Sequence, residues 1–292
     1  MSANFFCAPL LPRALFFKSM CVFIFAFAAI PSASAQQPDV TLTIDALAAP
    51  VAASLNESNA KSVIVLDFVG PSTYVTPLGR KLADDFSAAL AKSSGQFAVI
   101  DRARLFQVEK ANRFAPEIVA APEMAVWIAK NVDARAAVLG KLEIESGTFR
   151  ITIHCFRVKD AKELQQLRAT HPANDDWKQL SVKNIDPDSE VITTEKSRTP
   201  SDPLMPTCVS CPRPQYPVDG LNKRMSEKVI MYVVVGVDGA ARDFSIVEGP
   251  PNGFTVASVQ AVQTWRFIPG HDENGQPVAV RVPIEISYRI GP

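Results

Sequence analysis

Residues 278–290 read Val-Ala-Val-Arg-Val-Pro-Ile-Glu-Ile-Ser-Tyr-Arg-Ile, with an apolar or aromatic side chain at every even-numbered position. This alternation predicts one long antiparallel strand that buries one face and exposes the other. Pro283, in the middle of the stretch, cannot donate a main-chain hydrogen bond to a neighbouring strand. We therefore expect the strand at the edge of a sheet, at least on the side that the Pro283 nitrogen faces.

An edge strand carries unpaired main-chain groups, and a protein must either protect it or use it. In one interpretation the strand accepts an extended peptide, so that main-chain hydrogen bonds supply affinity and side-chain pockets supply specificity. In the other, Pro283 itself is the protection. The residues leave both interpretations open. If the strand binds a partner, the candidate binding residues are Val280, Arg281, Val282, Ile284, Glu285, Ile286 and Tyr288.

The chain before this strand carries the other elements of a small domain. Residues 228–237 form a β-branched run closed by Asp238 and Gly239, a dipeptide typical of a two-residue hairpin turn. A second strand is expected through Phe244, and residues 254–265 place apolar side chains at helical spacing. The predicted order is strand, strand, helix, strand.

Residues 212–289 resemble the C-terminal domain of TonB-type energy transducers. The resemblance rests on motifs in a set order, namely Pro214, Tyr216, Pro217, Asp238, Gly239, Trp265, Phe267 and Pro269, then Asn274-Gly275-Gln276-Pro277-Val278. It implies a ββαβ domain whose edge strand binds a short N-terminal peptide of outer-membrane transporters and delivers work derived from the proton gradient. For Tyr216, Trp265 and Phe267, core packing is the alternative to partner contact.

The first 35 residues bear on how much of that implied function applies here. They contain two basic residues, an apolar run over residues 20–30, and then Ala33-Ser34-Ala35, which together predict a cleaved signal peptide and a periplasmic protein. The alternative is an uncleaved inner-membrane anchor facing the periplasm. Lys18 argues against it, because a membrane span needs about 20 apolar residues and Lys18 interrupts any longer run.

A working transducer of this type has an uncleaved anchor and a long proline-rich spacer, whereas this chain has a predicted signal peptide and a globular domain in their place. We therefore predict a protein that keeps peptide binding, with an outer-membrane transporter or another envelope protein as partner and a link to TonB-dependent transport. The alternative is a structural envelope-assembly protein without energy transduction, whose final strand is buried in a homodimer. Membrane contact is expected only if the N-terminal segment stays uncleaved.

The predicted fold class is α+β. Residues 36–60 are a lead-in, residues 61–165 a small α/β domain, residues 166–207 a proline-containing linker, and residues 208–292 the TonB-like domain with an antiparallel sheet. The segments 63–68, 78–86, 97–102 and 137–140 resemble the envelope α/β domains of the CsgG, FlgO and TolB N-terminal type. That resemblance implies a role in assembly or protein contacts, without chemistry.

Cys208 and Cys211 form a C-x-x-C pair, for which an oxidising compartment favours a local disulfide. A thiol-exchange role and no role at all are the alternatives. A thioredoxin-like site would begin a helix after a strand, but Pro212 and Pro214 exclude a helix directly after the pair. Cys155 lies in an apolar strand-like run and is expected to be a buried small hydrophobe.

The charge balance and the motif search both argue against other functions. Lys plus Arg and Asp plus Glu each count 30, so bulk charge does not favour nucleic acid. No phosphate-binding glycine loop, zinc-protease helix or nucleophile elbow occurs. We predict no enzyme, no catalytic residue, no cofactor and no metal site. Asp67 ends a buried strand and is either buried with a perturbed pKa or engaged in capping and turn hydrogen bonds.

Overall fold

The computed structural model describes residues 44–70, 74–93, 96–145, 147–172, 174–182, 192–193 and 203–290. Its first sheet has five strands, β1 (Ser62–Val65), β2 (Ala98–Val99), β3 (Ala136–Glu145), β4 (Thr148–Arg157) and β5 (Glu163–Pro172). Their order in space is β2-β1-β3-β4-β5. β1 is parallel to β2 and β3, whereas β3, β4 and β5 form an antiparallel meander.

Helices lie on both faces of this sheet. They are α1 (Ile44–Glu57), α2 (Pro77–Lys92), α3 (Ala103–Asn112), a 3₁₀ helix (Pro116–Ala120), α4 (Pro122–Asn131) and α5 (Asp175–Val182). α2 begins where it does because Pro77 takes the first helical position and the Thr76 hydroxyl accepts the Gly79 N–H. The apolar stripes of α1 and α2 pack on the inner face of the sheet, and α3 and α4 pack on the outer face beside β1 and β3.

A second sheet is built from the C-terminal part of the chain. The remaining elements are β6 (Ile192–Thr193), β7 (Thr207–Ser210), α6 (Val218–Asn222), β8 (Glu227–Val235), β9 (Ala241–Glu248), α7 (Phe254–Thr264), β10 (Arg266–Ile268), β11 (Gly270–His271), β12 (Pro277–Val278) and β13 (Val280–Tyr288). The four-stranded order is β6-β13-β8-β9, and β7–β10 and β11–β12 form two short ribbons. The apolar side of α7 covers one face of this sheet.

The two sheets share one hydrophobic core. Phe114, which follows α3, forms a β-bridge to Phe244 on β9, and their rings meet edge to face at 6.0 Å. Arg113 turns the chain at a φ of 57°, and its carbonyl accepts the Asp243 N–H at 2.8 Å. Buried residues from α4 and α7 belong to the same cluster. The C-terminal sheet is therefore packed directly against the first part of the chain.

A single carboxylate holds the start of α7. The residue before that helix, Gly253, lies in the left-handed region at a φ of 89° and has no side chain with which to cap the helix. Glu123, from α4, accepts the N–H groups of Gly253 and of Thr255, the latter at 3.2 Å. Burial raises the pKa of Glu123 above its ordinary value. This cap ties α7 to α4, which belongs to the other sheet.

The predicted α+β class is confirmed, as is the strand, strand, helix, strand order at the C-terminus. The hairpin turn is longer than expected, because residues 236–240 separate β8 from β9. Gly239, at a φ of 71°, lies so close to the Phe267 carbonyl that any side chain would collide with it.

The predicted domain bounds stay a prediction, but the elements cross them. α1 lies in the predicted lead-in, and most of β5 and all of α5 lie in the predicted linker. Polar residues of β5 on its exposed face hid the strand from the periodicity. The predicted signal peptide lies outside the described residues, as do residues 183–191 and 194–202 of the predicted linker. No helix among the described ranges is long and apolar enough to cross a membrane.

Replacing the cap should weaken the fold. Glu123→Ala leaves the N–H groups of Gly253 and Thr255 without their acceptor, and we expect the free energy of unfolding to fall by about 1–3 kcal/mol. Urea denaturation followed by circular dichroism measures this. The matched control is Glu273→Ala, in an exposed loop, which should leave stability within about 0.5 kcal/mol of the wild type. Equal effects for the two variants would contradict the role given to Glu123.

Candidate partner-binding strand

β13 is paired with another strand along its whole length on one side and over only two residues on the other. It pairs with β8 in an unbroken antiparallel register from Val280 opposite Val235 to Tyr288 opposite Glu227. On its other side β6 runs parallel to it, with Ile192 opposite Val280 and Thr193 opposite Arg281. No strand in the described part of the chain pairs with that side of residues 282–288. Among the described residues, the stretch of this edge without a neighbouring strand, here called the open stretch, is therefore seven residues long, shorter than the strand itself.

Pro283 fixes which main-chain groups of β13 face outward. Alternate residues of a strand direct their N–H and C=O groups to opposite sides. Because Pro283 has no N–H and the ladder to β8 is continuous around it, the odd-numbered residues face away from β8. Within the open stretch, Glu285 and Ser287 then supply outward N–H donors, and Pro283 interrupts the row.

The side chains of the predicted binding residues divide into two groups. Five of them point into the core beneath α7, namely Val280, Val282, Ile284, Ile286 and Tyr288, each at most 7% exposed. Because the main-chain groups of even-numbered residues face β8, these five offer a partner on the open side neither a side chain nor a main-chain group. The exposed side of the open stretch presents Glu285 together with Pro283 and Ser287. Ser287 was missing from the predicted set, although its place in the alternation would have revealed it.

Arg281 lies at the junction of the two sheets. Its guanidinium stacks over the Tyr232 ring, 5.1 Å from the ring centre. A small polar crevice next to it is lined by residues from both parts of the chain, namely Tyr74, Ala115, Glu117, Val234, Asp243, Ser245 and Arg281. Since β6 also pairs with the Arg281 main chain, the start of β13 is held by the rest of the molecule.

An aromatic cluster supports the end of the strand. Tyr216, Phe254 and Tyr288 meet in pairs at 4.9–5.6 Å between ring centres, each pair close to edge to face. The Tyr216 hydroxyl donates to the Met225 carbonyl, and the hydroxyls of Tyr288 and Ser258 lie 2.9 Å apart. Burial raises the pKa of Tyr288. These aromatic residues pack in the core and fix the end of β13 against α7.

The remaining motif residues form the entrance of the C-terminal sheet. Cys208 and Cys211 form a disulfide, as predicted. Cys208 lies opposite Phe267 in the β7–β10 ribbon, and the Trp265 indole donates to the Pro212 carbonyl at 2.9 Å. Trp265 and Phe267 are buried, Pro214, Pro217 and Pro269 are half-buried, and the Asp238 carboxylate accepts the Ala240 N–H. Cys155 is buried and unpaired, and burial raises its pKa to about 12.

Asp67, Arg102 and Glu109 form a group of buried charged residues beside the first sheet. Asp67 is fully buried and forms ion pairs with Arg102 and with Arg80, the latter at 3.0 Å. Arg102 also contacts Asp84 at 2.6 Å and donates to the Val65 carbonyl. Of the two alternatives for Asp67, the structure shows a buried residue, and its hydrogen bonds go to arginine side chains. Its oxygens join the end of β1 to α2 and to the residue before α3, contacts that local sequence does not reveal.

Glu109, on α3, is the unusual member of this group. It is 6% exposed, and its Oε1 has no hydrogen-bond partner among the described residues. Burial raises the pKa of Glu109 from 4.5 to about 8; the charge of Asp67 adds to the rise, and Arg80 and Arg102 oppose it. The group lies in the packed interior between α2 and α3. Its protonation therefore bears on the stability of the fold.

A helix-backed antiparallel sheet with a partly open edge strand is a framework for protein interaction. Residues 212–290 match the family model described as the Gram-negative bacterial TonB protein C-terminal region. The chain thus carries a TonB C-terminal domain, and the predicted resemblance is confirmed over that segment. No curated protein matches the chain.

Several solved structures are similar to parts of the chain. The C-terminal domain of LpoB from Escherichia coli is 12% identical, covers 44% of this chain and 98% of its own, and has a TM-score of 0.35. Lipoprotein GNA1162 from Neisseria meningitidis is 16% identical, with coverages of 39% and 82% and a TM-score of 0.32. The TonB C-terminal domain from Pseudomonas aeruginosa is 22% identical, with coverages of 30% and 88% and a TM-score of 0.26. Similarities at this level say nothing further about the family of the remaining residues. The predicted resemblance of residues 61–165 to envelope α/β domains therefore stays a prediction.

The raised pKa of Glu109 predicts a pH-dependent stability. A carboxyl group whose pKa is higher in the folded state stabilises the fold fully below 4.5, and this contribution is lost as the pH rises through about 8. We expect a loss on the order of a few kcal/mol in the free energy of unfolding. Glu109→Gln should remove most of this dependence, whereas the exposed Glu57→Gln should not. Urea denaturation across this pH range tests it, and equal slopes for Glu109→Gln and wild type would refute it.

Proposed function

We propose that this chain is a periplasmic, TonB-like binding protein that captures an extended segment of an outer-membrane transporter or of another envelope partner. The partner segment adds to the open side of β13. The chain acts as an adaptor in TonB-dependent transport and performs no chemistry of its own. Membrane contact arises only if the N-terminal segment remains uncleaved.

The observation that carries this proposal is the open stretch of β13 over residues 282–288. A strand that lies beside it can accept hydrogen bonds from the outward N–H groups of Glu285 and Ser287. The strand is rigid, because its inner side chains are buried in the shared core. A rigid edge loses little conformational entropy on binding, which favours capture of a flexible peptide.

Pro283 and β6 also set limits on the partner. Since Pro283 offers no donor and β6 already occupies the start of β13, a partner gains its hydrogen bonds over the second half of the strand. Side-chain selectivity then comes from Glu285 and its exposed neighbours. A partner with a basic side chain opposite Glu285 would bind best, because opposite charges across a strand pair attract.

Removing one outward donor tests the proposed edge. Ser287→Pro deletes the N–H that faces a partner and leaves the ladder to β8 intact, whereas Ser287→Ala keeps that donor. We expect synthetic peptides covering the periplasmic N-terminal segments of outer-membrane transporters to include one that binds the wild-type chain. Its affinity should drop roughly tenfold in Ser287→Pro and stay unchanged in Ser287→Ala, as measured by fluorescence anisotropy.

The alternative role, a scaffold in which the final strand is buried in a homodimer, gives a different result. In that case the partner-free chain sediments as a dimer, and Ser287→Pro shifts it to a monomer. Equal peptide affinity for Ser287→Pro and Ser287→Ala, at unchanged melting temperature, would remove β13 as the binding edge.

A further inference from the structure

In the described part of the chain the outermost strands of the two larger sheets are β2 and β5, and β6 and β9. β13 is also without a neighbour on one side beyond the two residues that pair with β6, so the available edges are covered to different extents. β2 is only two residues long, and β9 is bridged by Phe114 at Phe244. β13 has β6 at its start and Pro283 in its middle. β5, by contrast, runs for ten residues, with its only proline at the last position. No other described strand pairs with its outer side, so β5 is the longest uncovered edge among the described residues.

The hydrogen bonds of β3 determine which groups of β5 face outward. Val138 and Gly140 bond towards β1, because their carbonyls accept the N–H groups of Leu66 and Val69, each at 2.8 Å. Even-numbered residues of β3 thus face β1, and its odd-numbered residues face β4. Carried across the registers of β3–β4 and β4–β5, this alternation leaves three residues of β5 with outward N–H and C=O groups, namely Gln166, Arg168 and Thr170.

The side chains of β5 describe what an added strand would meet. Leu167 and Ala169 are buried on the inner face, in the cluster with α1 and α2. Arg168 is exposed on the outer face, opposite Thr152. An added strand therefore needs apolar side chains at the positions beside Leu167 and Ala169, and polar ones beside Arg168.

On the outer face of the first sheet, Arg168 has no counterion among the described residues. Across β3 and β4 the ion pairs Lys141–Glu143, Arg150–Glu143 and Arg150–Glu145 lie at 2.7–4.0 Å. At the start of β5, Glu163 lies 2.7 Å from the Nδ1 atom of His154. Arg168 helps to lower the pKa of Glu143, after Lys141 and Arg150. Nevertheless, Arg168 forms no ion pair with any of the described residues. The row of ion pairs on the outer face of the first sheet thus ends at the positively charged Arg168 on β5.

We propose that β5 is a second strand-addition site, distinct from β13. Its partner is an extended, amphipathic protein segment that carries an acidic side chain opposite Arg168. Main-chain bonds to Gln166, Arg168 and Thr170 hold the segment, and the acidic residue completes the row of ion pairs. The chain then joins two extended partners, one on each sheet.

The first experiment locates the binding strand. The probe is a synthetic peptide of alternating valine and threonine with one central glutamate, added at millimolar concentration to the full chain. We expect hydrogen–deuterium exchange to slow at the amides of Gln166, Arg168 and Thr170. Arg168→Pro removes one outward donor and should weaken binding about tenfold, whereas Arg168→Ala keeps the donor. Binding should persist in Ser287→Pro, which separates this site from β13.

The second experiment does not depend on the proline variant. A matched peptide with lysine in place of glutamate should bind the wild-type chain roughly two- to fivefold more weakly, and Arg168→Glu should reverse that preference. Exchange protection elsewhere, or an unchanged preference in Arg168→Glu, would overturn the proposal. A peptide-free dimer that Arg168→Pro dissociates would also overturn it, because a second copy would then occupy the edge.

Discussion

The arrangement of the molecule depends on the contact between the Glu123 carboxylate and the first turn of α7. Every helix begins with unpaired N–H groups, and a helix preceded by glycine has no side chain to satisfy them. Here the acceptor comes from α4, on the other sheet. Because α7 covers one face of the second sheet, the carboxylate that caps it also positions that sheet. The apolar contact of Phe114 with Phe244 completes the joint.

This joint determines which edges of the sheets stay available. The bridge between Phe114 and Phe244 covers part of the β9 edge of the second sheet. The same contact between the two parts of the chain forms the crevice that Arg281 and Glu117 both line. In the described part of the chain, the open stretch of β13 and the outer side of β5 remain without a neighbouring strand. The two binding sites proposed for this chain therefore rest on main-chain groups at sheet edges, whereas many ionisable side chains are paired with each other. The buried group around Asp67 is the clearest example, since its charges are paired within the core.

Much of the C-terminal sheet was predictable because its signals are local. The alternation over residues 278–290 predicted β13, helical spacing predicted α7, and the C-x-x-C spacing predicted the disulfide. The candidate site was predicted less completely. Alternation identified the strand, but it placed five apolar side chains in the binding set although they face the core. Spacing identifies the residues of a strand, but which of its main-chain groups are already bonded to a neighbouring strand depends on the sheet, and here the even-numbered residues face β8.

Periodicity, turn dipeptides and cysteine spacing were sufficient to define the elements of the TonB-like sheet and to put Pro283 at an edge. They were not sufficient for β5, whose outer residues are polar, or for β6, which is two residues long. Neither could they reveal that Glu123 caps a helix 130 residues further on. Local patterns report how a segment buries one of its own faces. Which edge is covered, which carboxylate meets which helix and which charge is left unpaired depend on contacts between distant segments, and these exist only once the chain has packed.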